Sequence, residues 1–120
     1  MRTASRPILA QSETQLVAAC LQYLTLRGAL PIRINSGAVR GEHKGKKRFV
    51  RFNSAKGCSD LIVSYRGRFL AVEVKVGNNK PTEEQQRFLD RVTATDSIAC
   101  VVYSVDDLAK VLDAIAKEPS

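Results

Sequence analysis

The chain has no tryptophan, one histidine, one methionine, four prolines and three cysteines in 120 residues. Cys20, Cys58 and Cys100 are odd in number and widely spaced. They lack the close pairs of a zinc module or a disulfide scaffold, and read as reduced, mostly buried thiols in a cytosolic, intracellular protein. No stretch approaches the roughly 20 apolar residues of a membrane span. The first eleven residues, "MRTASRPILAQ", hold only a three-residue apolar patch, so a signal peptide is not expected. Four Phe and three Tyr are too few for the aromatic platform of an RNA-stacking module. Gly37, Gly41 and Gly45 are not followed by a capped helix, which excludes a phosphate-binding glycine loop.

What is abundant is positive charge. Lys and Arg number 19 against 12 acids, a net charge of +7. The charge is uneven: residues 1–80 carry +11 and residues 81–120 carry −4. Positions 33–56 alone hold eight basic residues, Arg33, Arg40, Lys44, Lys46, Lys47, Arg48, Arg51 and Lys56, against one acid. Such a patch suits an anionic partner and grips phosphates without reading base sequence. An ordinary solvated hairpin tip is the plainer alternative for its centre. His43 reads as a solvated loop residue, and Phe49 and Phe52 as strand or core residues.

With 44% hydrophobic content the chain has enough apolar surface for one core. Residues 12–116 are read as one domain, with residues 1–11 and 117–120 as tails. Ser12 and Gln15 form a capping-box pattern ahead of a helix ending at Gly28, with Leu16, Val17, Cys20, Leu21 and Leu24 as its buried stripe. "LPIRIN" is a short strand. The glycine-rich basic residues of 37–48 and "KRFVRFN" together point to a hairpin with a mobile tip. "DLIVSY" and "RFLAVEVKV" are joined by Arg66-Gly67, a two-residue turn that implies antiparallel pairing. Thr82 caps a second helix that turns Phe88, Leu89 and Val92 inward, "SIACVVYS" is a further buried strand, and Ser104 caps a closing helix. Three or four mostly antiparallel strands, then helix, strand and helix, make an α/β sheet flanked by helices.

The strand "GRFLAVEVKVG" poses the functional question. Side chains two apart share a face. Leu70, Val72, Val74 and Val76 therefore make an apolar wall, and Ala71, Glu73 and Lys75 face the other way. Alone, Glu73 and Lys75 are most simply a surface ion pair, and Asp60 a turn residue. Hairpin pairing, however, brings Asp60 beside the Glu73–Lys75 segment. Two neighbouring carboxylates repel unless one is protonated or a cation lies between them. A hard divalent ion suits such a pair, and an adjacent lysine can orient water and stabilise a phosphorane-like transition state. That combination fits hydrolysis of a phosphodiester.

Two residues have two open readings. Glu13 lies at the N-terminal end of a buried stripe, either as an acid favoured by the helix dipole or as part of the site. Gln85 is either the capping-box partner of Thr82 or a support for the site. Its neighbour Gln86 falls off the apolar face.

Taken together, Glu13, "KGCSDLIV", "GRFLAVEVKVGNNKPTEEQQRFLD" and "SIACVVYSVDDLAKVL" resemble the VRR-NUC domain, the virus-type replication-repair nuclease branch of the PD-(D/E)XK superfamily. The resemblance spans about residues 12–113. It implies a mixed sheet flanked by helices and a Mg²⁺- or Mn²⁺-dependent DNA endonuclease. It implies that Asp60 and Glu73 bind the metal with the Val74 carbonyl, that Glu13 helps hold a metal or water, that Lys75 is the catalytic lysine, and that Gln85 supports it. The usual proline before the aspartate is Ser59 here. Small members of this branch resemble homodimeric junction-cutting enzymes, so branched DNA, a Holliday-junction-resolvase-like activity, a second copy of the chain and a phage or prophage origin are expected. A flap or nicking nuclease, or a non-catalytic DNA-binding protein, are the alternatives.

Overall fold

The computed structural model describes residues 11–34, 38–43, 46–51 and 56–119, with 38–43 and 46–51 described as backbone only. In chain order the elements are α1 (Glu13–Leu26), β1 (Leu30–Arg33), β2 (Ala38–His43), β3 (Lys46–Arg51), β4 (Leu61–Tyr65), β5 (Arg68–Val74), α2 (Glu83–Ala94), β6 (Ile98–Val102) and α3 (Val105–Ala116).

Local signals set the helix starts. In α1, Gln15 N donates to Ser12 Oγ at 3.1 Å and Ser12 N donates to Gln15 Oε1 at 2.9 Å, a complete capping box. Two main-chain donors that the helix leaves unpaired are thereby satisfied. Thr82 and Gln85 repeat the device at α2, and Ser104 caps α3 by accepting from Asp107 N at 3.1 Å. The β4–β5 turn has φ of +50° at Arg66 and +77° at Gly67. Positive φ at both central residues is the twist that closes a two-residue hairpin, and it pairs Tyr65 with Arg68 and Leu61 with Val72.

Four strands form one sheet in the order β1-β4-β5-β6, with β5 and β6 parallel and the other pairs antiparallel. The sheet is therefore mixed. β2 and β3 form a separate two-stranded sheet. The basic hairpin is thus self-contained: residues 38–43 are its first strand, and "LPIRIN" pairs with β4 instead. Pro31, which has no N–H to donate, is tolerated because β1 is an edge strand. Of residues 37–48, expected to carry the mobile tip, 38–43 and 46–48 are instead strand, and 37, 44 and 45 lie outside the described residues, as does Phe52.

Strand alternation divides the molecule into layers. Leu61, Val63, Leu70, Val72, Val74 and Val102 pack with Leu16, Val17, Cys20 and Leu24 of α1 and Leu108, Leu112 and Ile115 of α3. Each fully buried aliphatic side chain contributes roughly 1.5–3 kcal/mol by leaving water. On the opposite face Ala71 packs with Leu89 and Val92 of α2, joined by Ile62, Phe88, Ala99 and Val101. β5 thus has large aliphatic residues under α1 and α3, and on its other side a small alanine under α2 followed by Glu73. Among the described residues no helix is long and apolar enough to cross a membrane.

Candidate active site

The β4–β5 register places Asp60, one residue before β4, beside the end of β5. Its Oδ2 accepts from Val74 N at 2.8 Å, and its carbonyl accepts from Ile34 N at 2.8 Å. The carboxylate is therefore fixed by the main chain of the strand that carries Glu73. Just upstream, Gly57 has φ of +70°, and a Cβ there would collide with the Glu84 main chain in the first turn of α2. Glycine alone allows both the left-handed backbone and this approach. Ser59 is fully buried, and its hydroxyl donates to the Leu61 carbonyl at 3.0 Å. A side-chain hydrogen bond thus steadies the turn before Asp60.

Glu73 is 1% exposed and Lys75 is 8% exposed. Neither is an ordinary surface ion pair. Lys75 Nζ stands 3.9 Å from Glu73 Oε1, an ion-pair separation too long for a hydrogen bond. Lys75 N donates to the Val102 carbonyl at 3.0 Å, so the lysine is held by the sheet although it follows β5. Gln85 makes two contacts. Its Oε1 accepts from Thr82 N at 2.8 Å, closing the capping box, while its Nε2 donates to Glu73 Oε1 at 3.2 Å. The box fixes the side chain whose amide then reaches the buried carboxylate. Gln86 is exposed and donates to Asp90 instead.

The electrostatics of Glu73 are unusual. Burial, then the negative charge of the nearby Asp60 carboxylate, push its pKa up to about 8. Lys75 opposes this and Glu13 adds to it. Lys75 at 3.9 Å does not outweigh the loss of hydration and the neighbouring negative charges. Among the described residues Glu73 Oε2 is buried with no hydrogen-bond partner. A buried polar oxygen without a partner costs roughly 1–3 kcal/mol. A proton or a cation would remove that cost. The donor set therefore fits a divalent ion: two carboxylates, one with an orphan oxygen, in a site whose own lysine does not neutralise them.

Among the described residues no group of three His, Cys, Asp or Glu side chains is placed to hold a metal ion. Glu13 is half-buried in the first turn of α1, and α1 packs on the face of the sheet opposite Glu73. It acts on Glu73 through its charge and is not gathered with Asp60 and Glu73 into a preformed cluster. Val74 contributes its N–H to Asp60, while its side chain belongs to the opposite core. The pair Asp60 and Glu73 is the carboxylate core of the site.

The basic residues are only partly described. Arg33 is exposed at the end of β1, pairs with Leu61 and so lies next to Asp60 in the sheet. Lys56 is exposed and makes an ion pair with Glu84 at 3.4 Å. Arg40, Lys46, Lys47, Arg48 and Arg51 lie on β2 and β3, where only the backbone is described, and Lys44 lies outside the described residues. The thiols are free, with Cys20 and Cys58 buried and Cys100 half-buried. Burial pushes the Cys20 thiol up to about 11 and Cys100 up to about 12, which leaves both as inert thiols. Sequence reasoning missed the packing of Gly57 on α2 and the Ser59 hydrogen bond. The only available signal was the run Gly57-Cys58-Ser59 before Asp60.

A comparison with solved structures matches a VRR_NUC domain with a TM-score of 0.59 and 23% sequence identity, covering 84% of this chain and 94% of that one. The chain has the VRR_NUC fold. No protein-family model matches the sequence, and a search of curated proteins found no match. In this VRR_NUC fold the mixed α/β architecture expected from the sequence is present, and β4, β5 and α2 are the elements that assemble the site.

Proposed function

We propose that this chain is a Mg²⁺- or Mn²⁺-dependent DNA endonuclease, with Asp60 and Glu73 as metal ligands, Lys75 as the catalytic lysine and Gln85 as the supporting amide. One observation carries the reading. Glu73 is almost completely buried beside a second carboxylate, with one oxygen unpartnered among the described residues. A charged residue in that position costs stability unless something binds to it. The VRR_NUC likeness supports the same conclusion from the side of the fold.

A divalent cation bound here would neutralise charge on the scissile phosphate and activate the attacking water as a Lewis acid. The chain's own groups do the rest. Asp60, fixed by Val74 N, and Glu73, fixed by Gln85, hold their oxygens without reorganisation during the reaction. Lys75 Nζ, free of a short hydrogen bond to Glu73, orients water and donates to a phosphoryl oxygen as negative charge develops. Water adds to phosphorus, the bond to the 3′ oxygen breaks, that oxygen takes up a proton, and the products are a 5′-phosphate and a 3′-hydroxyl. Glu13 adds negative potential that favours cation binding, and the Val74 carbonyl is a further candidate ligand. Arg33, Lys56 and the basic β2–β3 hairpin contact backbone phosphates, giving recognition by shape.

The finer reading is a homodimeric, Holliday-junction-resolvase-like enzyme of phage type acting inside the cell. Symmetric cutting of two strands by single-strand centres calls for a two-fold pair of them. Cleavage of a labelled four-way junction, a flap and a plain duplex tests it. Paired symmetric nicks in the junction support the resolvase reading. Cuts confined to the flap replace it with a flap nuclease, and tight junction binding without cutting under either metal replaces it with an architectural DNA-binding protein.

A further inference from the structure

Beyond the site already described, one aromatic ring is displayed beside it. Tyr103 follows β6 directly, and Val102, the residue before it, accepts the hydrogen bond from Lys75 N at 3.0 Å. The parallel register that pairs Val74 with Val102 brings Tyr103 level with Lys75. Neighbouring strands lie roughly 4.8 Å apart. Alternation along β6 puts Tyr103 on the side of Val101, which packs under α2 and stands opposite Glu73.

The ring is held rather than loose. Its hydroxyl donates to the Asn79 carbonyl at 2.8 Å, and its main-chain N–H donates to Asp107 Oδ2 at 2.8 Å. It is nevertheless 41% exposed. The exposed part walls a cleft of about 470 Å³ whose other sides include Pro81, Val101, Gln86, Lys80 and Glu83. A second cleft, of about 350 Å³ and lined by Val76, Asn78 and Asn79, opens on Tyr103 as well. Both volumes fall in the range of sites for small planar ligands, roughly 300–1,000 Å³.

We propose that Tyr103 is a stacking platform for a nucleobase next to the scissile phosphate, and that the cleft between Tyr103, Pro81 and Val101 is the subsite that receives it. The inference rests on the nuclease reading and deepens it by assigning how the strand is held. The chemistry matches at three points. A fixed phenol ring with apolar flanks offers a surface for a base, and stacking of this kind tolerates any sequence. Lys80 lines the cleft and supplies a positive charge for an adjoining phosphate, while Glu83 on the same lining is paired with Arg87 at 3.9 Å. Gln86, whose Nε2 donates to Asp90, retains its Oε1 as an acceptor for a base edge. The other strongly exposed aromatic among the described residues, Phe69 at the start of β5, lies four residues before Glu73 and at the far end of the strand.

The test combines protein variants with a lesion in the DNA. Wild type, Tyr103→Ala and Tyr103→Phe are compared for binding, in metal-free buffer, to a DNA that wild type cuts. That DNA is intact or carries an abasic site at each nucleotide flanking the cut. Tyr103→Ala is expected to weaken binding to intact DNA about tenfold, while Tyr103→Phe stays near wild type. One abasic position should weaken wild-type binding to the same degree and cost Tyr103→Ala nothing more. Because the lesion is in the DNA, the wild-type arm stands even if Tyr103→Ala folds poorly. Wild-type binding that ignores every flanking abasic site, or a Tyr103→Ala loss equally large on intact and abasic DNA, overturns the subsite and leaves the nuclease reading standing. A wild type that neither binds nor cuts any DNA overturns both.

Discussion

Gln85 Nε2 donates to Glu73 Oε1 at 3.2 Å while Gln85 Oε1 accepts from Thr82 N. The helix start and the buried carboxylate are therefore coupled through one amide, whose two ends do different work. Removing it harms both folding and chemistry, and replacing it selectively separates them.

Gln85→Glu keeps an acceptor for Thr82 N but puts a third carboxylate against Glu73. Its thermal midpoint in low-pH buffer should stay close to wild type, and its cleavage rate at neutral pH should fall by about tenfold or more. Gln85→Ala loses the box partner as well, at about 1 kcal/mol of stability. Midpoints and single-turnover rates for the two variants check this. Equal rates for wild type and Gln85→Glu would confine the residue to capping.

Gly57→Ala should destabilise the protein by about 2 kcal/mol or more, since φ is +70° and the added methyl meets the Glu84 main chain. The site suffers with the fold, because the same turn delivers Asp60. Denaturant unfolding measures the first effect and the cleavage rate the second. An unchanged midpoint would mean that the turn and α2 can separate at no cost.

The raised pKa of Glu73 makes metal-free stability depend on pH. Between its ordinary value of 4.5 and its folded value of about 8, the folded chain binds more protons than the unfolded one. Stability is then fully present below about pH 4.5 and declines as pH rises toward 8, by at most about 1.4 kcal/mol per pH unit. Under the proposed metal binding, Mg²⁺ or Mn²⁺ would compete with that proton, so metal should stabilise the fold more at about pH 8 than at about pH 6. Thermal midpoints from about pH 5 to about pH 8, with and without metal, check both statements. Glu73→Gln, neutral at every pH, should flatten the metal-free slope.

Lys46→Ala with Lys47→Ala should weaken DNA binding and lower the slope of log affinity against log salt by about 0.9 for each phosphate no longer neutralised. Anisotropy titrations across a salt series measure it. An unchanged slope would move the phosphate surface away from the hairpin, toward residues such as Arg33 and Lys56.

Much of this arrangement was legible in the sequence because it is local. Ser12, Thr82 and Ser104 announce their helices through short-range capping patterns. Arg66-Gly67 dictates a two-residue hairpin, and that hairpin alone brings Asp60 to the Glu73–Lys75 segment. The two-residue period placed Glu73 and Lys75 opposite the apolar wall. Non-local features were not legible. Which strand β1 would pair with depends on β4 being free on that side, and the parallel placement of β6 beside β5 depends on the crossover through α2. The depth of burial of Lys75 depends on what packs around it in the fold, which no pattern within the strand encodes. Glu13 shows the converse. Its stripe is read correctly, yet periodicity does not say which face of the sheet that stripe covers, and it covers the face opposite Glu73.

The central claim is that the Asp60–Glu73 pair exists to hold a cation for phosphodiester hydrolysis. The most direct test is Glu73→Ala, assayed for DNA cleavage with Mg²⁺ or Mn²⁺ and for DNA binding without metal. Cleavage reduced by at least about 10²–10³-fold, with metal-free binding unchanged or tighter, is the predicted result. Cleavage that persists in the variant, or binding that falls in step with cleavage, would contradict it.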